Sequence, residues 1–399
     1  EHGIVGNGWY FKDECEIKFW KQSNKLVQSP KIWEVAKAID PNFTCSNMFW
    51  WYNMYSSVDF SVTPRPQYLA DGRKMPDVYS YPASLRDHLH EKLGTFPLFD
   101  FWGPRTSIKS SKWIAEASKE VDRLNDPTLT LIYLPHLDYN LQRYGVSDPR
   151  ISKDLGEIDA VCENLIQFYE AKGAHVIVLS EYGITDVNKP IALNRALRNH
   201  GFIGIREERG LELLDPGASA AFAVADHQVA HIYVNDTSKI DEVKSILLNT
   251  EGVEKVLVDE GRKEYHLDHD RAGDLIAVAG PDYWFSYYYW MDEKKAPDFA
   301  RTVEIHKKPG YDPVEMLADP KIKFLMTKVG LKLLKKKIGM RVLMDIIPLD
   351  DTLIKGSHGR IPESNNDRPL ILSRNKNHLQ NDKIKAIEVF DIIMAHLKG

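Results

Sequence analysis

The spacing of hydrophobic positions changes several times along this chain, and each change marks an element. Pro30 precedes Lys31 to Ile39, where Ile32, Val35, Ala36 and Ile39 share one face, so the spacing predicts a helix there. Ser84 to Leu93 carries a second helical pattern. Between them, Thr63-Pro64-Arg65-Pro66 and Met75-Pro76 break regular structure, and Phe49 to Tyr81 reads as an ordered loop packed by its own aromatics. Leu129 to Leu134 is an apolar run halted by Pro135, the pattern of a buried parallel strand. An amphipathic helix over residues 151–171 follows, closed by Gly173, and His175 to Ser180 supplies a second apolar run. Strand, helix, strand in that order predicts a βαβ unit and a parallel sheet. Both runs lead into polar residues at their carboxyl ends, where open α/β sheets bind ligands.

After Gly183 the pattern becomes α+β. A helix is expected around Ala192 to Asn199, one alternating strand over Ala221 to Val234, a helix from Lys239 to Leu248, and a strand from Val253 to Asp259. We read residues 188–275 as an inserted subdomain between a first core segment, residues 1–187, and a second, residues 276–399. Leu275 to Ala279 and the aromatic cluster Tyr283 to Trp290 are expected to return to the main sheet. Lys321 to Arg341 interleaves eight Lys or Arg with Phe324, Leu325, Met326, Leu331, Leu333, Leu334 and Ile338. Such a helix can lie on a membrane, but the expectation is that it docks its apolar face on a domain, with no membrane contact.

Composition narrows the class. With 399 residues, 43% hydrophobic and 27% charged, the chain can bury a large core, which excludes disorder and fibrous repeats. A formal charge of -5 gives no global pull toward a nucleic-acid polymer, so any anion site has to be local. Cys15, Cys45 and Cys162 are far apart and odd in number, so reduced thiols and a cytoplasmic location are expected. No run approaches the roughly 18 to 20 apolar residues that span a bilayer.

Three short clusters place acids or imidazoles just past a strand or in a glycine-flanked loop: Pro135 to Gln142, Ser180 to Gly183, and Gly356 to Gly359. Carboxylate oxygen and imidazole nitrogen are ligands that divalent ions accept, and phosphoryl transfer uses such ions to neutralise developing charge. Taken singly, a strand-end acid is more often a helix cap, and a loop histidine more often an ordinary hydrogen-bonding group.

In order and spacing, the three clusters resemble the metal-binding motifs of the nucleotide pyrophosphatase/phosphodiesterases of the alkaline phosphatase superfamily. Pro135 to Gln142 resembles a Pro-Asp-x-x-Gly-His motif with Asp138 as the acid. Ser180 to Gly183 resembles Ser-Asp-His-Gly, and Gly356 to Gly359 resembles Gly-x-His-Gly with His358 as the imidazole. Glu1 to Asn7 is similar to the family's Ser-His-Gly-Ile segment, and Pro30 to Trp33 to its Pro-Ile-Trp helix start. The resemblance implies an α/β fold: an alkaline phosphatase-like core with a mainly parallel sheet between helices, carrying the small α+β insertion. It also implies metal ligation by Asp138, Glu181 and His358, with Gln142 and Tyr182 as further candidates, and a substrate that is a phosphate or phosphonate ester, with a nucleotide among the options.

By that register the family's first metal-binding Asp and its nucleophilic Thr are expected before residue 1, and the chain as given is expected to be inactive. Thr44-Cys45-Ser46-Asn47 imitates a nucleophile site, but its place after the Pro-Ile-Trp helix argues for a strand. The departures matter too. Gln142 and Glu181-Tyr182 stand where the family has His and Asp-His, which weakens zinc binding and favours manganese or magnesium. On an extended segment, His136 would share a face with Asp138, although a backbone partner is the simpler expectation for it.

The leading expectation is a metal-dependent phosphoric or phosphonic ester hydrolase, with Trp50-Trp51-Tyr52 and Tyr283 to Trp290 either stacking a flat leaving group or filling the core. The alternative is a degenerate, catalytically weak member serving as a binding or biosynthetic partner protein. A metal-dependent sugar-phosphate mutase is a third option.

Overall fold

The computed structural model describes residues 2–379 and 381–397. They form two compact units, one of residues 22–138, 149–183 and 364–399, the other of residues 1–21, 139–148 and 184–363. We call them the parallel-sheet unit and the antiparallel-sheet unit.

The parallel-sheet unit is built on a four-stranded sheet in the order Val78–Tyr81, Phe60–Pro64, Cys45–Met48, Leu129–Ile132. Cys45–Met48 runs parallel to both neighbours, and Phe60–Pro64 is antiparallel to Val78–Tyr81. Every residue of Cys45–Met48 is buried, as a strand covered on both faces requires. One face packs Met48 and Val62 against Leu89, Phe96, Trp113 and Ile114 of the helices Ser84–Leu93 and Ile108–Asn125 and the loop between them. The other packs Cys45 and Leu131 against Trp33 and Ala36 of Ile32–Ile39 and Met394 of Val389–Leu397. The mainly parallel sheet between helices is therefore present. The segment expected to be a loop over Phe49 to Tyr81 contributes two of its four strands, with Pro64 at the end of one where its missing N–H does least harm.

The helix over 151–171 forms as Ile151–Ala171, and the run after it as Ile177–Leu179. That strand pairs antiparallel with Ile371–Ser373, not with Leu129–Ile132. The expected βαβ pairing is thus not made among the described residues.

The antiparallel-sheet unit centres on a four-stranded sheet in the order Ala221–Asp226, Val229–Val234, Leu275–Ala279, Val253–Leu257, all antiparallel. Helices Leu193–Asn199 and Ile240–Leu248 cover it through Leu193, Leu197, Val243 and Leu247. Two expectations change here. Ala221 to Val234 is a hairpin, not one strand, because His227 takes a left-handed conformation (φ 60°) and turns the chain at Asp226-His227-Gln228. Leu275–Ala279 joins this antiparallel sheet and does not return to the parallel one.

Tyr287, Tyr288, Tyr289 and Trp290 are buried in a core cluster with Phe299 and Leu349, so they are packing and not an open stacking platform. Cys15, Cys45 and Cys162 are free thiols. Leu325–Lys337 is helical as the pattern predicts, yet none of its residues is buried, so its expected docking on a domain is not observed. Among the described residues no helix is long and apolar enough to cross a membrane.

Candidate functional site

In the parallel-sheet unit the candidate residues gather beyond the carboxyl ends of the strands. Pro135 stops Leu129–Ile132, and the chain turns at once into the helix His136–Tyr144, with Asp138 in its first turn. A carboxylate there faces the positive end of the helix dipole. This helix corrects the extended geometry expected for His136 and Asp138: two residues apart on a helix point about 200° from each other. Tyr182, just past Ile177–Leu179, donates its hydroxyl to Asp138 Oδ1 at 3.0 Å. Gly183 lets the chain pass close behind it, since a Cβ there would sit 1.8 Å from the Asp367 carbonyl oxygen. Ser180 holds the same corner, its N–H donating to the Leu370 carbonyl and its hydroxyl accepting from the Leu370 N–H, both at 2.9 Å.

Glu181 and Asp138 both act on Tyr133. Burial raises the Tyr133 phenol well above its ordinary range, and the two carboxylates push it further, so it stays protonated. Trp51, following Cys45–Met48, meets the Tyr133 ring edge-on at 6.2 Å. Asp138, Glu181, Tyr182, Tyr133 and Trp51 thus form one oxygen-rich group.

His136 turns elsewhere, to Asp154 at 3.6 Å and Glu157 at 3.3 Å on the helix Ile151–Ala171. Burial lowers the His136 pKa, and the two carboxylates oppose that shift without overcoming it. The ligand atoms of these three residues lie within 4.8 Å of one another, close enough to hold an ion, yet the trio includes no residue of the predicted ligand set. Thr44 exchanges hydrogen bonds with Thr128 at the amino ends of the two parallel strands, away from the carboxyl ends that carry Asp138.

Gln142 and His358, the other predicted ligands, belong to the antiparallel-sheet unit. Gly356–Ser357 pairs with Thr185–Asp186 and presents His358. A Cβ at Gly356 would lie 2.1 Å from the Leu141 carbonyl oxygen, so only glycine lets that strand pass the 139–148 segment. Buried Gln142 accepts from the Tyr311 hydroxyl at 2.9 Å. The Tyr311 ring stacks on His227 at 3.7 Å, and His227 lies 3.8 Å from the His358 ring. His227 Nδ1 meets Asp226 Oδ1 at 2.8 Å, and Asp226 accepts from the Asn7 backbone N–H at 2.8 Å and from its side-chain amide at 3.0 Å. Burial raises the Asp226 carboxyl, but His227 and Asn7 outweigh it and leave the pKa below the usual range. The arrangement is a carboxylate that orients an imidazole, beside a second imidazole and a phenol.

Sequence reasoning missed Asp226, His227 and Tyr311. The signal available was the polar triplet Asp226-His227-Gln228 interrupting an apolar run, which marks a turn.

Burial holds three imidazoles neutral. It pushes His358 well below its ordinary value with help from His227, and it lowers His231 and His136. His231 is fixed as a neutral tautomer, Nε2–H donating to the Val5 carbonyl at 2.9 Å and Nδ1 accepting from the Gly273 N–H at 3.1 Å. A folded pKa below the unfolded value means that the unfolded chain takes up the proton first. Stability is therefore complete above the unfolded value of about 6.5 and is lost as pH falls toward the folded values. Unfolding free energies from urea titrations should decline steadily below about pH 6.5, with a slope of at most about 1.4 kcal/mol per pH unit for each histidine. A free energy flat from neutrality to the carboxylate range would contradict the assignment.

Comparison with known proteins adds an independent line. A family model described as type I phosphodiesterase/nucleotide pyrophosphatase matches residues 1–312. Among solved structures, phosphonoacetate hydrolase from Sinorhizobium meliloti 1021 in complex with phosphonoformate is 14% identical, with a TM-score of 0.54, over 100% of this chain and 80% of its own. The same enzyme in complex with phosphonoacetate is 17% identical (TM-score 0.47), over 72% and 67%. Murine ectonucleotide pyrophosphatase/phosphodiesterase 5, an inactive variant in complex with AMP, is 17% identical (TM-score 0.45), over 73% and 66%. No curated protein sequence matches. The likeness over the whole chain shows the alkaline phosphatase-like α/β fold that the motifs imply.

Proposed function

The chain belongs to the type I phosphodiesterase/nucleotide pyrophosphatase family, and from that membership we propose that it hydrolyses a small phosphate or phosphonate ester with the help of divalent ions. The observation that carries the reading is the pairing of two carboxylates, Asp138 and Glu181, with two phenols beyond the carboxyl ends of the strands. Asp138 and Glu181 supply two carboxylates, of which Asp138 accepts from Tyr182 through Oδ1. Oxygen ligation of this kind suits manganese or magnesium better than zinc. A bound ion would neutralise charge developing on the phosphoryl oxygens.

The residues of the chain have separate tasks. Asp138 and Glu181 hold the ion, and the protonated Tyr133 supplies a donor beside them. Tyr182 fixes the Asp138 rotamer through its hydrogen bond. In the antiparallel-sheet unit, neutral His358 offers a nitrogen lone pair, and Gln142, already accepting from Tyr311, offers a weak neutral oxygen. Both remain candidate ligands in this reading.

One contact favours a second reading, a degenerate member that binds without turning over. The Tyr182 phenol sits on the carboxylate where the family has an imidazole that takes an ion. Titration with Mn²⁺, Mg²⁺ and Zn²⁺, followed by phosphodiester and phosphonate assays on the protein, tests both. Binding of Mn²⁺ or Mg²⁺ is expected, with hydrolysis of the diester to a phosphate monoester and an alcohol, or of a phosphonate ester to the phosphonate and an alcohol. Neither binding nor turnover with any ion would sink the hydrolase reading, and activity gained only after Gln142→His with Tyr182→His would establish the degenerate one. An isomerised product without hydrolysis would point to a mutase.

A further inference from the structure

The helix Leu325–Lys337 turns most of its large apolar groups outward. Its inner side is mixed, Leu325 and Val329 lying half-buried beside two paired lysines: Lys328 reaches Asp345 at 3.2 Å and its backbone carbonyl at 2.8 Å, and Lys332 bonds to the Leu343 carbonyl and to Asp345. Its outer side carries the large apolar groups. Met326 is 80% exposed, Ile338 69%, and Leu331, Leu333 and Leu334 more than half, with Phe324 at 75% just before the helix. At 100° per residue, Met326, Leu331, Leu333 and Leu334 lie on one half of the helix surface together with Thr327, Gly330 and Lys337, and Phe324 and Ile338 add apolar groups at its two ends. Met340 and Leu343 extend the exposed apolar surface beyond the helix end. Contiguous apolar surface of this kind marks an interaction site.

Charge says what covers it. Residues 320–344 contain eight Lys or Arg and no Asp or Glu, in a chain that carries 57 acids against 52 bases. It is the longest acid-free run in the chain. Lys321 and Lys323 are exposed ahead of the helix, Lys335 is exposed at the edge of the apolar face, and Lys337 is exposed within it, between Leu333 and Leu334. A nucleic-acid polymer would engage the lysines but leave six large apolar groups in water. A surface that is apolar in its interior and anionic at its rim satisfies both halves of the helix.

We propose that Leu325–Lys337 is an interfacial anchor that lies flat on an anionic lipid bilayer. Its outer face enters the boundary between head groups and acyl chains over a length of about 20 Å; Lys335 at the edge of that face, Lys321 and Lys323 ahead of the helix, and Lys337, whose long stem carries its ammonium out from within the face, contact the lipid phosphates and carboxylates. This binding is peripheral and reversible.

The test is flotation of the full chain with vesicles of phosphatidylcholine alone and of phosphatidylcholine mixed with phosphatidylserine, at low and high salt. We expect capture by the phosphatidylserine vesicles only, weakened by salt. Leu334→Asp with Ile338→Asp should lower the partition at least tenfold, and Lys335→Glu with Lys337→Glu by a comparable factor. All four side chains are exposed, so an unchanged melting curve accompanies either pair, and flotation can be read directly. No capture by phosphatidylserine vesicles, or capture unchanged by Leu334→Asp with Ile338→Asp, would overturn the proposal. So would light scattering that shows a dimer dissolved by those substitutions while vesicles bind nothing, because the face would then belong to a second copy of the chain.

Discussion

Replacing Lys308 by methionine is expected to destabilise the antiparallel-sheet unit by about 3–5 kcal/mol, the cost of removing one partner from a buried ion pair. Lys308 is 1% exposed, and its ammonium lies 2.7 Å from Asp312 Oδ2 and 2.7 Å from Glu315 Oε1, both carboxylates also buried. Burial alone would discharge the lysine, but the two carboxylates hold its pKa above the ordinary value. Glu315 also accepts from the Glu304 N–H at 2.8 Å, and Asp312 from the Val314 N–H at 3.1 Å, so the trio ties three turns of the 304–315 segment together. Methionine keeps much of the volume but leaves two carboxylates in a poorly solvated place without a countercharge. One or both would protonate, and the loss should shrink at acidic pH as they do. Urea unfolding of wild type and Lys308→Met at pH 7 and pH 5 measures it. A loss under 1 kcal/mol at neutrality would show that water or local opening already solvates the trio.

Helix-forming periodicity was legible in the sequence because it is local: Ser84–Leu93 and Ile151–Ala171 appear where their apolar spacing puts them. Strand pairing was not, since an apolar run reports burial and not its partner. Ile177–Leu179 pairs with Ile371–Ser373, nearly two hundred residues on. The hairpin at Asp226-His227-Gln228 escaped notice because its left-handed residue is a histidine and not the expected Gly or Asn. The run Tyr287 to Trp290 is rich in polar-tipped rings, yet its neighbours bury it, which composition alone does not decide.

The site divides in the same way. Asp138, Glu181 and Tyr182 stand out in the sequence as polar residues past an apolar run: Glu181 and Tyr182 come within three residues of Ile177–Leu179, and Asp138 lies in the helix that follows Leu129–Ile132. Asp226, His227 and Tyr311 could not, because only the fold brings Asn7, Gln142, Tyr311 and His358 around them. For Leu325–Lys337 the pattern gave an amphipathic helix but not the direction of its faces. That direction depends on Asp345, which draws Lys328 and Lys332 inward.

Asp138→Asn separates charge from hydrogen bonding at the proposed ion site. Asparagine can still accept from the Tyr182 hydroxyl through its side-chain oxygen, so the rotamer fixed by the 3.0 Å bond should persist. What disappears is the negative charge and one strong acceptor oxygen. If Asp138 holds a divalent ion, turnover of a phosphoric or phosphonic ester should fall about a hundredfold to a thousandfold, the usual penalty for losing one element of transition-state charge stabilisation. Folding stability should change little, because Asp138 is only part-buried and keeps its partner. Ion affinity should fall together with kcat, and added Mn²⁺ should recover part of the loss, since a weakened site fills at higher concentration. Tyr182→Phe makes the complementary change: it keeps the carboxylate and removes the group that orients it, so the effect should be nearer tenfold to a hundredfold. Turnover of Asp138→Asn within a few-fold of wild type would remove Asp138 from the ion site and leave its contact with Tyr182 as a purely structural bond between the first turn of His136–Tyr144 and the loop after Ile177–Leu179.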